Sequence, residues 1–423
     1  MARPLCIDSG RLYASLSALG AIGSYADART GLTGVNRLAL TAADGAGRRH
    51  VVERMQALGL EITVDRIGNV FARRRGKRPE LPPVMMGSHI DSVETAGRFD
   101  GCLGVLGGLE VVHTLNDQGI ETLRPVVVAF FTDEEGSRFG TDMLGSAVAT
   151  GRLPLESAYA LRDRNGLRLE DELSAIGFRG DAPERVEPPF AYLECHIEQG
   201  PVLASHGIDI GVVTGVQAIS WHELTLVGKS AHAGTTPMEL RADPALAAAR
   251  IAVRIREMAT SGRFGPGMRA TMGVVTPRPG LVNVVPAEVT ASVDLRNPDD
   301  DGMRRAEAEL LEFYREVERS EGVKIEWRQT ARTETVAFSS RVQDRVEAHA
   351  QARGLSTERI VSGAGHDAQE LARITTAGMV FVPGEFDGIS HNPRELSSES
   401  QCANGVNVLL DVLLSFANEE TRA

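Results

Sequence analysis

Cysteine is scarce and scattered in these 423 residues: Cys6, Cys102, Cys195 and Cys402 show no CxxC pair and no regular spacing. That pattern argues against a structural zinc knuckle and against a disulfide framework, and it suits free thiols in a reducing compartment. No run is long and apolar enough to span a bilayer. The start, MARPLCIDSGRLYASLSALG, lacks the basic, apolar and small-residue succession of a secretory leader. A cytoplasmic protein is expected. Basic residues are outnumbered as well: 45 Lys and Arg against 57 Asp and Glu give a net charge of -12. Nucleic acid and anionic membrane surfaces are therefore disfavoured as partners, since both call for a basic face. No G-x-G-x-x-G opens a helix after a strand, and no G-x-S-x-G elbow occurs, so neither a dinucleotide fold nor a serine hydrolase is expected.

What is present is an ordinary globular balance, 42% hydrophobic and 24% charged, in a chain long enough for two domains. Up to about Thr214 strands and helices alternate. A helix is expected over Thr41–Leu58, a hairpin in EITVDRIGNVFARRRG, a buried strand at Val84–Ser88 and a helix at Cys102–Asp117. PVVVAFF and FAYLECHI read as further strands, the first with the β-branched and aromatic run of a central parallel strand. Beyond Thr214 the pattern becomes that of a small α+β sandwich. Helices are expected at Pro244–Met258 and Asp299–Ser320, with strands at Thr271–Val275, Val289–Leu295 and Lys324–Trp327. The α/β style resumes with a helix at Ser340–Arg353, the loop SGAGHDA, a strand at Gly378–Val382 and a helix at Ser400–Phe416. The expected fold class is thus α/β: a catalytic domain with a mixed sheet flanked by helices, in two parts over 1–215 and 332–423. A lid or dimerisation domain is inserted at 216–331.

The chemistry-bearing residues stand at strand ends. GSHIDS supplies His89 and Asp91, RFDG supplies Asp100, and FTDEEG supplies Glu134 and Glu135. LECHIEQG supplies His196 and GISHNP supplies His391. Each alone has a structural explanation: a satisfied loop histidine, a solvated turn, a helix cap. Together they gather imidazole and carboxylate groups, at least five of them able to act as ligands, at the carboxyl ends of strands where open α/β sheets build sites. Such a set can hold one or two divalent ions, and N/O ligands without thiolate suit Zn, Mn, Co or Ni. Cys195 adjoins His196 but faces the other side of its strand, so it is not counted.

These segments, GSHIDSVETAGRFDGCLGVLGGLE, FTDEEGSRFG, HIEQGPVL, KSAHAGTTPM and GISHNP, resemble metal-dependent amidohydrolases related to zinc aminopeptidases. The branch most similar contains N-carbamoyl-L-amino-acid hydrolases, allantoate amidohydrolases and β-ureidopropionases. The resemblance runs from about Arg37 to Leu414, and HIEQGPVL is its most branch-specific piece. It implies two divalent metal ions per subunit, with Asp100 bridging. His89 and His196 would complete one shell, and Glu135 and His391 the other. Asp91 would hydrogen-bond His89 and orient it, and Glu134 would be the general base; the residues alone do not separate the jobs of Glu134 and Glu135. His232 would reach the partner's site in a homodimer joined through the inserted domain and hold the substrate carbonyl oxygen. Arg296 would clamp a substrate carboxylate, assisted by Asn283, and Gln199 and Gly365 match further substrate contacts. The plain alternatives are a turn histidine, a surface arginine, a strand-end amide and a turn glycine. The expected reaction is hydrolysis of a small ureido acid to an amino acid, CO2 and ammonia, first as N-carbamoyl-L-amino-acid hydrolysis. The alternatives are allantoate amidohydrolase or β-ureidopropionase, then a metallo-aminopeptidase or dipeptidase, then a non-catalytic binding protein on the same fold.

Overall fold

A computed structural model describes residues 4–420. The chain forms two compact units, Met1–Gly215 with Ala337–Ala423, and Val216–Val336.

The first unit is built on a mixed sheet. Its strands run in the order Glu61–Val64, Val70–Arg74, Val126–Phe131, Val84–His89, Ala191–Ile197, Thr376–Val382 and Ile210–Val216, with Thr357–Ser362 paired to the last. Val126–Phe131, Val84–His89, Ala191–Ile197 and Thr376–Val382 are mutually parallel. Val70–Arg74 and Ile210–Val216 flank them antiparallel. Val84–His89, Val126–Phe131 and Ala191–Ile197 are buried at every residue. That explains their unbroken apolar character, because a strand covered on both faces has no solvent side to alternate with. The expected helices are found at Ala42–Ala57, Cys102–Asp117, Ser340–Ala352 and Glu399–Ala417. The last begins with a capping box: Ser398 and Gln401 each bond the other's main chain. Not anticipated were the helix Ser9–Gly20, the strand Ile210–Val216 and the short helix Asp367–Leu371, which begins inside the stretch read as the loop SGAGHDA.

The second unit is an antiparallel sheet in the order Arg269–Thr271, Glu288–Asn297, Ala218–Val227 and Lys324–Thr333. Glu288–Asn297 alternates half-buried and buried residues along its length. Val289, Val293 and Leu295 thereby meet the apolar sides of helices Pro244–Thr260 and Asp300–Glu321 in one core. The strand expected at Thr271–Val275 is instead a break between Arg269–Thr271 and Val275–Arg278, both paired with Glu288–Asn297. At the break Val274 N donates to the Ser292 side chain, which diverts it from the main-chain ladder.

Candidate metal centre

Parallel strands and the turns behind them deliver the site. Val84–His89 ends on His89, Val126–Phe131 leads into the turn bearing Glu134 and Glu135, and Ala191–Ile197 carries His196. Asp100 and Gly101 precede the helix Cys102–Asp117. Gly101 has φ +64°, and a methyl on it would lie 2.4 Å from His89 Nε2, so only glycine lets this helix begin against the imidazole.

Asp100 stands at the centre. Its Oδ1 lies 3.2 Å from His196 Nε2 and 3.5 Å from His89 Nε2. Its Oδ2 lies 3.5 Å from His391 Nε2, and 2.7 Å from both Gln199 Nε2 and Ser390 Oγ. His391 Nε2 is also 3.1 Å from Glu135 Oε2. Two triplets result, His89–Asp100–His196 and Asp100–Glu135–His391, each with its ligand atoms within 4.8 Å of one another. Glu134 belongs to neither; its Oε2 faces His89 Nε2 at 3.4 Å. Geometry thus separates the adjacent glutamates that the sequence left open. His391, Gln199 and Asp133 all have left-handed backbone, with φ of 55°, 56° and 54°. For non-glycine residues that costs of order 1–3 kcal/mol each, held in place by the surrounding structure.

The residues fit a pair of divalent cations. His89 Nε2 and Glu135 Oε1 are buried without a hydrogen-bond partner, an arrangement that costs about 1–3 kcal/mol per group unless something else meets them. One carboxylate shared by two triplets is the donor set that two ions would need. A third cluster, Glu194–His196–His366, is different. The Glu194 carboxylate already accepts from Ser88 Oγ, Tyr192 Oη and Ala368 N, and His366 Nε2 is bonded to Ser362 Oγ. These two residues pack behind His196. Cys195 faces away, as expected: a methyl on Gly405 of the helix Glu399–Ala417 would lie 3.0 Å from its Sγ.

Charge is arranged accordingly. Burial works to raise the Asp100 carboxyl, but the facing imidazoles of His196, His391 and His89 overcome it and hold Asp100 well below the usual carboxylate range. Burial similarly opposes charge on His391, yet Asp100 and Glu135 push its imidazole up to about 11. Glu134 is raised well above the usual range, chiefly by burial.

Asp91 and Asn283 make contacts that the sequence reading did not give. The His89 Nδ1 partner is the main-chain carbonyl of Asp91, at 3.0 Å. The Asp91 carboxylate is 3.9 Å from that nitrogen and instead accepts from Glu134 N and Glu135 N at 3.3 and 3.4 Å. Asp91 therefore orients His89 through its backbone and holds the glutamate turn through its side chain. Asn283, expected to assist Arg296, lies toward the opposite end of the strand Glu288–Asn297 within one chain. Asn283 O accepts from Ala233 N, and His232 pairs with Val284, so Asn283 and His232 share one corner of the second unit. Arg296 lies near the other end of Glu288–Asn297, eight residues from Glu288, or roughly 26 Å along an extended strand. There its guanidinium grips Asp294 through Nε and Nη2, at 3.1 and 3.0 Å. The exposed His232 Nδ1 accepts from Gly234 N and Thr235 N. Gly365 lies beside Met143, whose Cε would be 3.2 Å from a methyl on it. The sequence reading missed Ser390, Glu395 and Glu194. Only Glu194 left a signal, an acid inside a buried strand on the same face as His196.

Residues 85–415 match the family model described as Peptidase family M20/M25/M40. An N-carbamoyl-L-amino-acid amidohydrolase of Rhizobium meliloti is 40% identical over 415 residues, 97% of each chain. A ureidoglycolate hydrolase of Arabidopsis thaliana is 32% identical over 97% of this chain and 87% of that one. The crystal structure of an amidase of the hydantoinase/carbamoylase family from Burkholderia vietnamiensis superposes with a TM-score of 0.92 at 42% identity, over 100% of both chains. With the two triplets around Asp100 and a mixed sheet behind them, the chain belongs to peptidase family M20/M25/M40, among its hydantoinase/carbamoylase amidases, and is a hydrolase of amide C–N bonds.

Proposed function

We propose that the chain hydrolyses the ureido C–N bond of N-carbamoyl-L-amino acids, yielding the amino acid, CO2 and ammonia. The observation that carries this reading is the pair of triplets sharing Asp100, with Glu134 poised beside them, in a chain similar along its whole length to an enzyme named for that substrate class. His89, His196 and Asp100 would hold one divalent ion, and Asp100, Glu135 and His391 the other, as Zn, Mn, Co or Ni. Ions bound there supply Lewis acidity, which makes water acidic near neutral pH and polarises a carbonyl.

The chain's own groups do the rest. Glu134 takes the proton of the attacking water and passes it to the departing nitrogen. Asp91 keeps Glu134 in reach by bonding its N–H. Because His232 Nδ1 is an acceptor, its neutral ring carries the hydrogen on Nε2. That N–H would donate to the carbonyl oxygen as negative charge grows on it. Arg296 would exchange Asp294 for the substrate carboxylate, which its planar fork matches equally well. Gln199 and Gly365 would line the substrate. An N-carbamoyl amino acid is only about two residues long, roughly 7 Å. His232 and Arg296 of one chain are too far apart along the sheet to grip the same molecule. This supports a homodimer, formed through the inserted unit, in which the partner donates His232 and Asn283. Free cysteines support a cytoplasmic location, since a reducing compartment keeps thiols unpaired.

The ureidoglycolate hydrolase relative carries a second reading, a different ureido acid at the same site. A panel of N-carbamoyl-L-amino acids, N-carbamoyl-β-alanine, allantoate, ureidoglycolate and dipeptides, supplemented with metal and read by ammonia and amine release, decides between them. N-carbamoyl-L-amino acids should lead, and Glu134→Gln should keep its metal while losing about 10²–10⁴-fold in turnover. Dipeptides as the best substrates, or undiminished turnover in the variant, would overturn the proposal.

A further inference from the structure

We propose that Glu395, acting through Ser390 and through the main chain of Phe99 and Asp100, presets the shared carboxylate for two ions. It is a positioning residue rather than a ligand, and the inference rests on the metal reading above.

Glu395 is 5% exposed. Its Oε1 accepts from Phe99 N at 2.8 Å and Asp100 N at 3.1 Å. Its Oε2 lies 2.9 Å from Ser390 Oγ, which in turn is 2.7 Å from Asp100 Oδ2. One carboxylate therefore holds Asp100 at both ends, main chain and side chain. It does so from the segment that also carries His391, so it locks two distant ligand-bearing stretches to each other. Thr95 Oγ1 adds a second tie by donating to His391 O at 3.2 Å.

The approach is close. A methyl on Gly97 would lie 2.4 Å from Glu395 Cβ and 2.6 Å from Oε1, so Glu395 is inserted where the opposing chain has no side chain at all. No cation pairs with Glu395 among the described residues; its Oε1 accepts from two main-chain N–H groups, and the one Ser390 hydroxyl hydrogen lies between its Oε2 and Asp100 Oδ2. That is the pattern of a carboxylate used to set geometry rather than to neutralise charge. The geometry it sets is the one two ions need. With Oδ2 held on the Ser390 side, toward His391 and Glu135, Oδ1 is left facing His89 and His196. A carboxylate free to rotate would instead turn both oxygens to whichever donors were nearest. Partners of this kind behind metal ligands typically change affinity about 10–100-fold when removed.

The test is calorimetric titration of the chelator-stripped, full-length protein with Mn2+, together with the visible absorption of the Co2+-loaded form as a report of ligand geometry. Wild type should take up two equivalents. Ser390→Ala and Glu395→Ala should weaken uptake at the site shared with Glu135 and His391 by about 10–100-fold and alter the Co2+ spectrum. Glu395→Gln should behave as wild type, because its amide oxygen can accept both N–H groups and its NH2 can donate to Ser390 Oγ. Should Glu395→Ala fail to fold, the half-buried Ser390→Ala carries the test, with an unchanged thermal midpoint for the stripped protein. Variants that titrate like wild type overturn this inference alone. Wild-type protein that binds no divalent ion overturns the metal reading and this inference with it.

Discussion

Around Asp100, three imidazoles and two glutamates crowd together, all but the half-exposed His391 largely buried, and their proton balance can be measured. His391, opposed by burial but hydrogen-bonded to Asp100 and Glu135, is pushed up to about 11 in the metal-free protein, against an ordinary value of about 6.5. It therefore carries a proton at neutral pH, and a cation must displace it. Uptake should release protons, and apparent affinity should rise by about one log unit per pH unit for each proton displaced. The metal-free fold shows the opposite sign: the stability gained from this pairing is complete below about pH 6.5 and is lost as pH rises through about 11. Calorimetry in buffers of different ionisation enthalpy reads the proton count directly; uptake independent of pH between about 6 and 8 would contradict the assignment. At this scale the sequence was informative where chemistry is unusual and silent where it is common. His89, Asp100, His196 and His391 stood out as candidates because metal-type residues recur at successive strand ends, and Glu135 stood out only as one of two adjacent glutamates. Ser390 and Glu395 were not, since a serine and a glutamate in a polar loop look solvated until the fold folds that loop inward.

Elements hold these residues in place through polar ties as much as through apolar packing. The helix Ala42–Ala57 carries a fully buried ion pair, Arg48 Nε to Asp44 Oδ2 at 2.8 Å. The same guanidinium donates to Gly68 O in the turn of the hairpin at 2.8 Å and to Thr132 Oγ1 at 3.2 Å. Arg48 thus ties a helix and a hairpin to the strand end just before Glu134 and Glu135. Removing Asp44 leaves a buried charge unpaired. Asp44→Ala should cost about 3–5 kcal/mol in denaturant unfolding, and adding Arg48→Met should recover much of it. A loss below about 1 kcal/mol would mean that water reaches the guanidinium. The helix itself was readable, as the stretch Thr41–Leu58; in the structure Thr41 caps it. What the pair connects was not, because partners such as Thr132 are chosen by tertiary approach and leave no periodic trace. The strand read at Thr271–Val275 failed for a related reason: a side chain across the sheet, Ser292, takes the hydrogen bond that local propensity assigned to the ladder.

Across the whole molecule the class of fold followed from pattern alone, since alternating buried strands and amphipathic helices bracket a stretch of half-buried strands. Among the described residues no helix is long and apolar enough to cross a membrane. What pattern could not give was span. The strand Glu288–Asn297 acts as a ruler, with Arg296 toward one end and the His232–Asn283 corner beyond the other. If both ends serve catalysis, they serve different copies of the reaction. Arg296→Ala and His232→Ala proteins, each inactive alone, should then rescue one another when their subunits are exchanged. A mixed dimer of the two has one site with both defects and one with neither. Random exchange makes half the dimers mixed, so about a quarter of wild-type activity should return from two dead preparations. Continued silence after exchange has been verified by mass would place both residues in a single chain's site. The length of one strand thus turns a question about substrate grip into one of genetic complementation.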